Sequence, residues 1–474
     1  MRNQLLVGLC FIAFTGMVNA AEDLLRTVAQ VRVTGYEVEF ENPWQKGSGG
    51  QYIGSAVLID DNRLITNAHV ISQALRIDVR LGDSNRWYKA VVDNVSDASD
   101  LALLVVEDKS FYRGSKPVDF GNDVALGSQM TVVGFPIGGD SVSITEGILS
   151  RTEVTTYAHS GIQNLTYQLD AAINSGNSGG PVFHNGKLVA ISTQSLKESD
   201  NIGYGIPVSV INQFIADVKD GNVDGVPILP FFAQTVFNAA QRDFYGMGDR
   251  SGLRVIQSAG SEDERCLADG DIILSVDGLP VGPDGMIRTG TLGSVPIDYL
   301  ASSKQVGDSI DFELVAKDKN RSVSCKLNWT WNDVFTVTPT TYNYRPVWTE
   351  VGGIVLVEMT DELFEFLYTN EIELQEGVAD TATQLQQDSP QDPHRYLFVV
   401  NVLQHDINDG YDVTGLLLNT VNGIALRNIK HLQKILESNS LPWVELVFNN
   451  SESVVFRAAD LPALNEQLAQ EYGF

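Results

Sequence analysis

Apolar residues over positions 24 to 215 fall in short runs: Ile53 to Ile59, Leu75 to Leu81, Leu101 to Val106, Met130 to Gly134 and Leu188 to Ser192. Gly, Asp and Asn turns separate the runs, and helical spacing is largely missing. Short strands punctuated by turns predict a sandwich or barrel rather than a doubly wound sheet. Val210, Ile211, Phe214, Ile215 and Val218 then recur at helical spacing, which predicts a helix over 208–218 closing the region. The Gly- and Pro-rich stretch 221–230, GNVDGVPILP, reads as a domain linker.

Beyond the linker the texture changes. A strand is predicted at Gly252 to Gln257. LADGDIILSVDG, 267–278, reads as a tight turn, a strand and a second turn at Asp277-Gly278. A third segment begins near 342. Its DELFEFL, 361–367, is helical, and TATQLQQDSPQDP, 381–393, reads as a solvated loop or insert. HRYLFVVNVL, 394–403, predicts a strand. LLLNTVNGIAL, 416–426, repeats the strand–turn–Gly texture of 267–281, and NIKHLQKILE, 428–437, is a helix with Ile429, Leu432, Ile435 and Leu436 on one face. Segments two and three therefore look like divergent relatives of one another.

The 474 residues suit about three domains. With 32 Lys+Arg against 60 Asp+Glu the net charge is -28, which excludes a nucleic-acid binder and argues against adsorption to an anionic membrane. The acidity is uneven: residues 341–474 hold 20 acidic and 6 basic side chains. Placed away from the candidate chemistry, it reads as solubility and assembly control rather than substrate binding. Arg2, the apolar run Leu5 to Phe14 and the small residues before Ala20/Ala21 form a secretory signal pattern, too short to span a bilayer comfortably. The mature chain is expected to be exported, with no stable membrane span. Cys10 falls in the removed segment. Cys266 and Cys325 then either pair in an oxidising compartment or remain two buried thiols.

Three words carry candidate chemistry: ITNAHVI, 65–71; DASDLALLVV, 97–106; and NSGNSGGPVF, 174–183. Ser178 sits among glycines, which permit backbone conformations closed to other residues and let N–H groups converge without Cβ obstruction. An oxyanion hole requires this, and the N–H groups of Gly176 and Ser178 are the natural pair. A serine nucleophile needs a general base, and His69 is the best of six histidines. His159 and His184 lie closer in sequence, in a loop and in a solvent-facing turn. The base needs a carboxylate to orient it. Asp100, at the mouth of the apolar strand 101–106, is preferred over Asp97. The order His69, Asp100, Ser178 is that of the chymotrypsin-type double barrel and agrees with the all-β texture. The mechanism needs no metal and no organic cofactor.

These words, with NIGYGIPVSVI at 201–211, closely resemble the HtrA/Deg family of serine proteases. The resemblance implies an all-β chymotrypsin-like double β-barrel followed by two PDZ-like α+β domains, over 21–222, 231–335 and 342–474 after a signal peptide at 1–20. It places Ala172, Ile173, Asn174 and Ser175 on one wall of the specificity pocket, Ile202, Gly203 and Tyr204 on the other, and an activation loop at Gly134 to Thr145. Phe244, Tyr245, Gly246 and Met247 look like a PDZ carboxylate loop, where consecutive N–H groups would cradle a peptide C-terminus. The second copy shows no such loop, and the layout resembles plant-type Deg proteases. With no acid in 171–175 or 201–206, small or medium aliphatic residues are expected at the cleaved position. The expected activity is ATP-independent endoproteolysis of unfolded or misfolded exported proteins in a bacterial periplasm, by a trimer or a multiple of trimers. The rival expectation is a PDZ-based holdase whose triad is inactive at rest.

Overall fold

The computed structural model describes residues 26–474 except 61, 83, 137–140, 196–202, 220, 291, 317–318, 373–376 and 389–391. The signal-peptide segment, Ile202 and the middle of the expected activation loop thus lie outside the described residues.

Strands β1 (Val28–Val38), β2 (Lys46–Leu58), β3 (Arg63–Thr66), β4 (Ala74–Leu81), β5 (Tyr88–Ser96) and β6 (Leu101–Val106) close a barrel in the order β1-β2-β3-β6-β5-β4. Strands β7 (Gln129–Gly134), β8 (Ser143–Thr156), β9 (Gln163–Leu169), β10 (Pro181–His184), β11 (Lys187–Ser195) and β12 (Gly203–Pro207) close a second, in the order β10-β11-β12-β9-β8-β7. Continuous apolar runs such as LALLVV in β6 form strands here because both faces are covered. Leu104 and Val106 point into the first barrel, while Leu101 and Leu103 face the seam with the second. Across that seam they meet Val133, Phe135, Leu165 and Ile191, and helix α1 (Val208–Val218) seals it with Val210, Ile211 and Phe214. The predicted helix therefore lies where its spacing put it. Each such side chain contributes about 1.5–3 kcal/mol by leaving water, so the seam is a rigid base for groups at its rim.

The second unit is a sheet of strands Phe231–Val236, Gly252–Ser258, Ile272–Val276, Ser309–Ala316 and Lys319–Lys326, with Leu279–Pro280 paired beside Ile272–Val276. The Asp277-Gly278 turn forms with both residues at positive φ. Cys266 and Cys325 are joined by a disulfide, with Cα atoms 5.8 Å apart. The third unit is a sheet of Trp348–Val351, Ile354–Glu358, Leu397–Val402, Leu417–Val421, Trp443–Phe448 and Ser453–Arg457, with Ile424–Ala425 repeating the strand–turn hook. Helices Asp361–Thr369, Ile429–Glu437 and Leu461–Tyr472 accompany it. The architecture is thus two closed six-stranded trypsin-like barrels followed by α+β, PDZ-like domains.

One stretch departs from expectation. The polar run 381–393 is not simply solvated. Leu385 and Gln386 are buried, Gln386 donates its N–H to Val334 O (2.7 Å) and accepts from Gly260 N–H (2.8 Å), and Arg265 reaches Gln387 (2.8 Å). Backbone groups of a polar segment are satisfied here by pairing across two domains, which composition does not reveal.

Candidate active site

His69 begins a one-turn 3-10 helix, His69–Ile71, directly after β3. That turn is held from below: Thr66 Oγ1 donates to Ser55 O (2.7 Å), and Asn67 Nδ2 donates to Asp100 O (2.9 Å). Asp100 closes the turn 97–100, its N–H donating to Asp97 O at 2.9 Å, with a left-handed backbone at φ 50° that Asp tolerates better than most residues. Its buried carboxylate accepts from His69 N–H (3.0 Å) and faces His69 Nδ1 (2.8 Å to Oδ2, 3.0 Å to Oδ1), while Thr193 Oγ1 donates to Oδ2 (2.8 Å). Burial presses this carboxyl upward, but the charge and hydrogen bonds of His69, with a smaller push from His159, outweigh it and leave the pKa lowered.

Ser178 comes from the second barrel, across the seam. Its loop needs glycine on both sides. Gly176 has φ 99°, and a Cβ on Gly179 would lie 2.1 Å from Ser55 O and 2.2 Å from Thr66 Oγ1. Ser55 of β2 pins the loop: its Oγ donates to Gly176 O (2.8 Å) and its N–H to Ser178 O (2.8 Å). Among the described residues the N–H groups of Gly176 and Ser178 donate to no protein group. The Ser178 hydroxyl donates to Thr193 O rather than to His69. Sequence reasoning missed both Ser55 and Thr193, since a polar residue inside a strand carries no spacing signal.

Of the predicted pocket residues, Ile173 is buried, Asn174 and Ser175 are exposed, and Ala172 O accepts from Thr145 Oγ1 (3.1 Å). Ile173 presses on Gly203, where a Cβ would lie 2.5 Å from its side chain. Tyr204 is buried in β12.

Asp97 and His159, the alternatives weighed in sequence, pair with each other. The His159 side chain is buried, its Nε2 2.9 Å from Asp97 Oδ1 and its ring centroid 6.4 Å from that of His69. Burial presses the His159 ring toward neutrality, but the bond to Asp97 and the charges of Asp100, Asp97 and Glu362 raise its pKa overall. His184, expected to face solvent, is half-buried, with its Nδ1 2.8 Å from Gln129 O.

The predicted carboxylate loop has a different setting from the one expected. The N–H groups of Tyr245, Gly246 and Met247 donate to carbonyls of helix Ala239–Phe244, and Met247 is buried. The strand that follows, Gly252–Ser258, is paired on both sides, so a peptide could not add beside it. The edge strands of this sheet are Phe231–Val236 and Lys319–Lys326.

A second correction concerns the acidic third segment, which is not remote from the candidate chemistry. Gln73 N–H donates to Tyr342 O (2.6 Å), Gln73 Nε2 donates to Tyr344 O (3.0 Å), and Tyr342 N–H donates to Asp97 Oδ1 (2.8 Å). Phe40 stacks on Phe366 (5.0 Å), and Trp44 on Trp348 (5.2 Å) and Phe474 (4.7 Å). The third domain thereby sits against the protease barrel beside His69.

Residues 54–191 match the trypsin-like peptidase domain model and residues 337–474 a PDZ domain model. The chain is 30% identical over 456 residues to Protease Do-like 2, chloroplastic, of Arabidopsis thaliana, covering 95% of this chain and 74% of the relative. It is 29% identical over 423 residues to Protease Do-like 4, mitochondrial, of the same plant, covering 88% and 78%. The structure of the HtrA-type protease AlgW with a decapeptide has a similar fold, at a TM-score of 0.50 and 22% identity, covering 65% of this chain and 97% of that one. The chain belongs to the HtrA/Deg family of trypsin-like serine proteases with PDZ domains, enzymes that act on protein substrates.

Proposed function

We propose that this chain is an ATP-independent serine endopeptidase whose triad is His69, Asp100 and Ser178. The observation that carries the reading is the convergence of the His69–Asp100–Thr193 network with Ser178, beside the two uncommitted N–H donors of Gly176 and Ser178. His69 takes the Ser178 proton as the hydroxyl attacks the scissile carbonyl. The Gly176 and Ser178 N–H groups hold the oxyanion, and Asp100 stabilises the imidazolium. His69 then protonates the leaving amine, and water releases the acyl group. Amide hydrolysis is downhill, so no nucleotide is consumed. The packing of Ile173 on Gly203, within the walls assigned to the primary pocket, supports a preference for small or medium aliphatic side chains.

The substrates we infer are unfolded or misfolded exported proteins and their exposed termini, met by a trimer or a multiple of trimers. The Cys266–Cys325 disulfide supports an oxidising, extracytoplasmic setting such as a periplasm. One observation favours a second reading, a peptide-binding holdase that is inactive at rest: the Ser178 hydroxyl is held by Thr193 O. Casein hydrolysis by wild type and by Ser178→Ala, with and without added C-terminal peptides, separates the two. Cleavage that requires Ser178 supports the protease. Casein kept soluble but uncut under all conditions supports the holdase.

A further inference from the structure

A cavity of roughly 390 Å³ opens beside His69. The protease supplies His69, Gln73 and His159 to its lining, and the third domain supplies Thr341, Glu362 and Glu365. The acidic groups arrive there by a fixed route. Asp97 accepts from Tyr342 N–H on one side and holds His159 on the other, so the segment 338–342, whose Thr338 O accepts the Asp361 N–H (3.0 Å) at the start of helix Asp361–Thr369, is tied to the turn that positions Asp100. Glu362 Oε1 accepts the Thr341 N–H (2.9 Å), whereas Oε2 is enclosed with no hydrogen-bond partner. Glu365 is exposed on the same lining. No Lys or Arg lines the cavity. An accessible carboxylate on such a wall, as at Glu365, can accept a charge-assisted bond from a ligand cation, with the Glu362 charge adding to the attraction.

We propose that the third domain completes the substrate cleft, and that Glu362 and Glu365 form a subsite beside His69 for a Lys or Arg side chain flanking the scissile bond. This rests on the protease reading above. The site would act on a residue other than the one in the Ile173–Gly203 pocket, so a cleaved sequence would pair an aliphatic residue at the cut with a basic neighbour. Glu362 and Glu365 are then specificity-determining residues contributed in cis by a domain that lies about 190 residues beyond Ser178 in the chain.

The test uses the full-length enzyme at pH 8 and paired peptide substrates that differ only by Lys or norleucine at each position flanking the cut. Norleucine keeps the alkyl stem and removes the charge. At one flanking position kcat/KM is expected to favour Lys at least fivefold in wild type. The ratio should fall toward one in Glu365→Gln and further in E362Q/E365Q. The exposed Glu365 position keeps the test valid should the Glu362 variant fold poorly. A Lys-to-norleucine ratio that is the same in wild type and both variants, or that exceeds one at no position, overturns the subsite. Failure to cleave any peptide in a Ser178-dependent way overturns the protease reading instead.

Discussion

Thr193→Val probes the network at its least obvious member. Valine keeps the volume of threonine and removes the hydroxyl that donates to Asp100 Oδ2 at 2.8 Å. The Thr193 carbonyl that receives the Ser178 hydroxyl belongs to the backbone and stays. Asp100 is buried, so water cannot replace the lost donor without opening the seam. A hydrogen bond to a charged group contributes about 1.5–3 kcal/mol, and each 1.4 kcal/mol is roughly tenfold in rate. If the loss falls wholly on the transition state, where Asp100 faces a full imidazolium, kcat/KM drops about tenfold to a hundredfold. Stability falls by a similar free energy at most. Thr193→Ser, which keeps a hydroxyl at the same Cβ, should restore most of the activity. The assay is peptide hydrolysis together with thermal melting. A valine variant with wild-type kcat/KM would refute the idea that Thr193 holds Asp100 for catalysis. Equal impairment in the serine variant would trace the effect to packing.

Two further outcomes are expected. Reducing the Cys266–Cys325 bond, which closes a sequence separation of 59 residues, should destabilise the second domain by about 4 kcal/mol on the loop-closure model, read as a lower melting temperature with dithiothreitol. The double serine variant should melt like the reduced protein. Burial holds Asp361 and Glu362 each up to about 7, against ordinary values of 3.8 and 4.5. A carboxyl with a raised folded pKa stabilises the native state fully below its unfolded pKa and loses that contribution as pH rises to 7. At about 1.4 kcal/mol per unit, each group costs the native state roughly 3–4 kcal/mol at most above that window. Glu362→Gln should therefore gain melting temperature relative to wild type from pH 4.5 to 8, and a constant difference across that range would contradict the assignment.

The barrels were legible because their residues obey local rules. Runs such as Leu101 to Val106 state their own burial, and the spacing in 208–218 marks a helix whichever partner it meets. The proposed triad residues stand out in the sequence for a different reason: Gly176, Gly179 and Gly180 around Ser178, and an acid at the mouth of an apolar strand, are expensive unless used. What stayed hidden depends on distant partners. Ser55 and Thr193 are ordinary strand residues until the second barrel closes over the first. Asp97 and His159 looked like rivals for catalytic posts because nothing in sequence shows that they face each other. The polar stretch around Gln386 reads as solvated in the sequence because its backbone partners, Gly260 and Val334, belong to another domain's surroundings. The same holds for Glu362 and Glu365, whose charge was visible while their approach to His69 was not. At Phe244 to Met247 a loop resembling a carboxylate cradle instead ends a helix, and only sheet order shows that Phe231–Val236, unlike Gly252–Ser258, is an edge strand.

The account rests on Ser178 being a nucleophile activated by His69. Treating the full chain with a fluorophosphonate and mapping the adduct by mass spectrometry tests this directly. The prediction is one adduct per chain on Ser178, formed much more slowly in His69→Ala and not at all in Ser178→Ala. An unreactive Ser178 in wild type, even with unfolded protein and C-terminal peptide present, or an adduct confined to another residue, would contradict it.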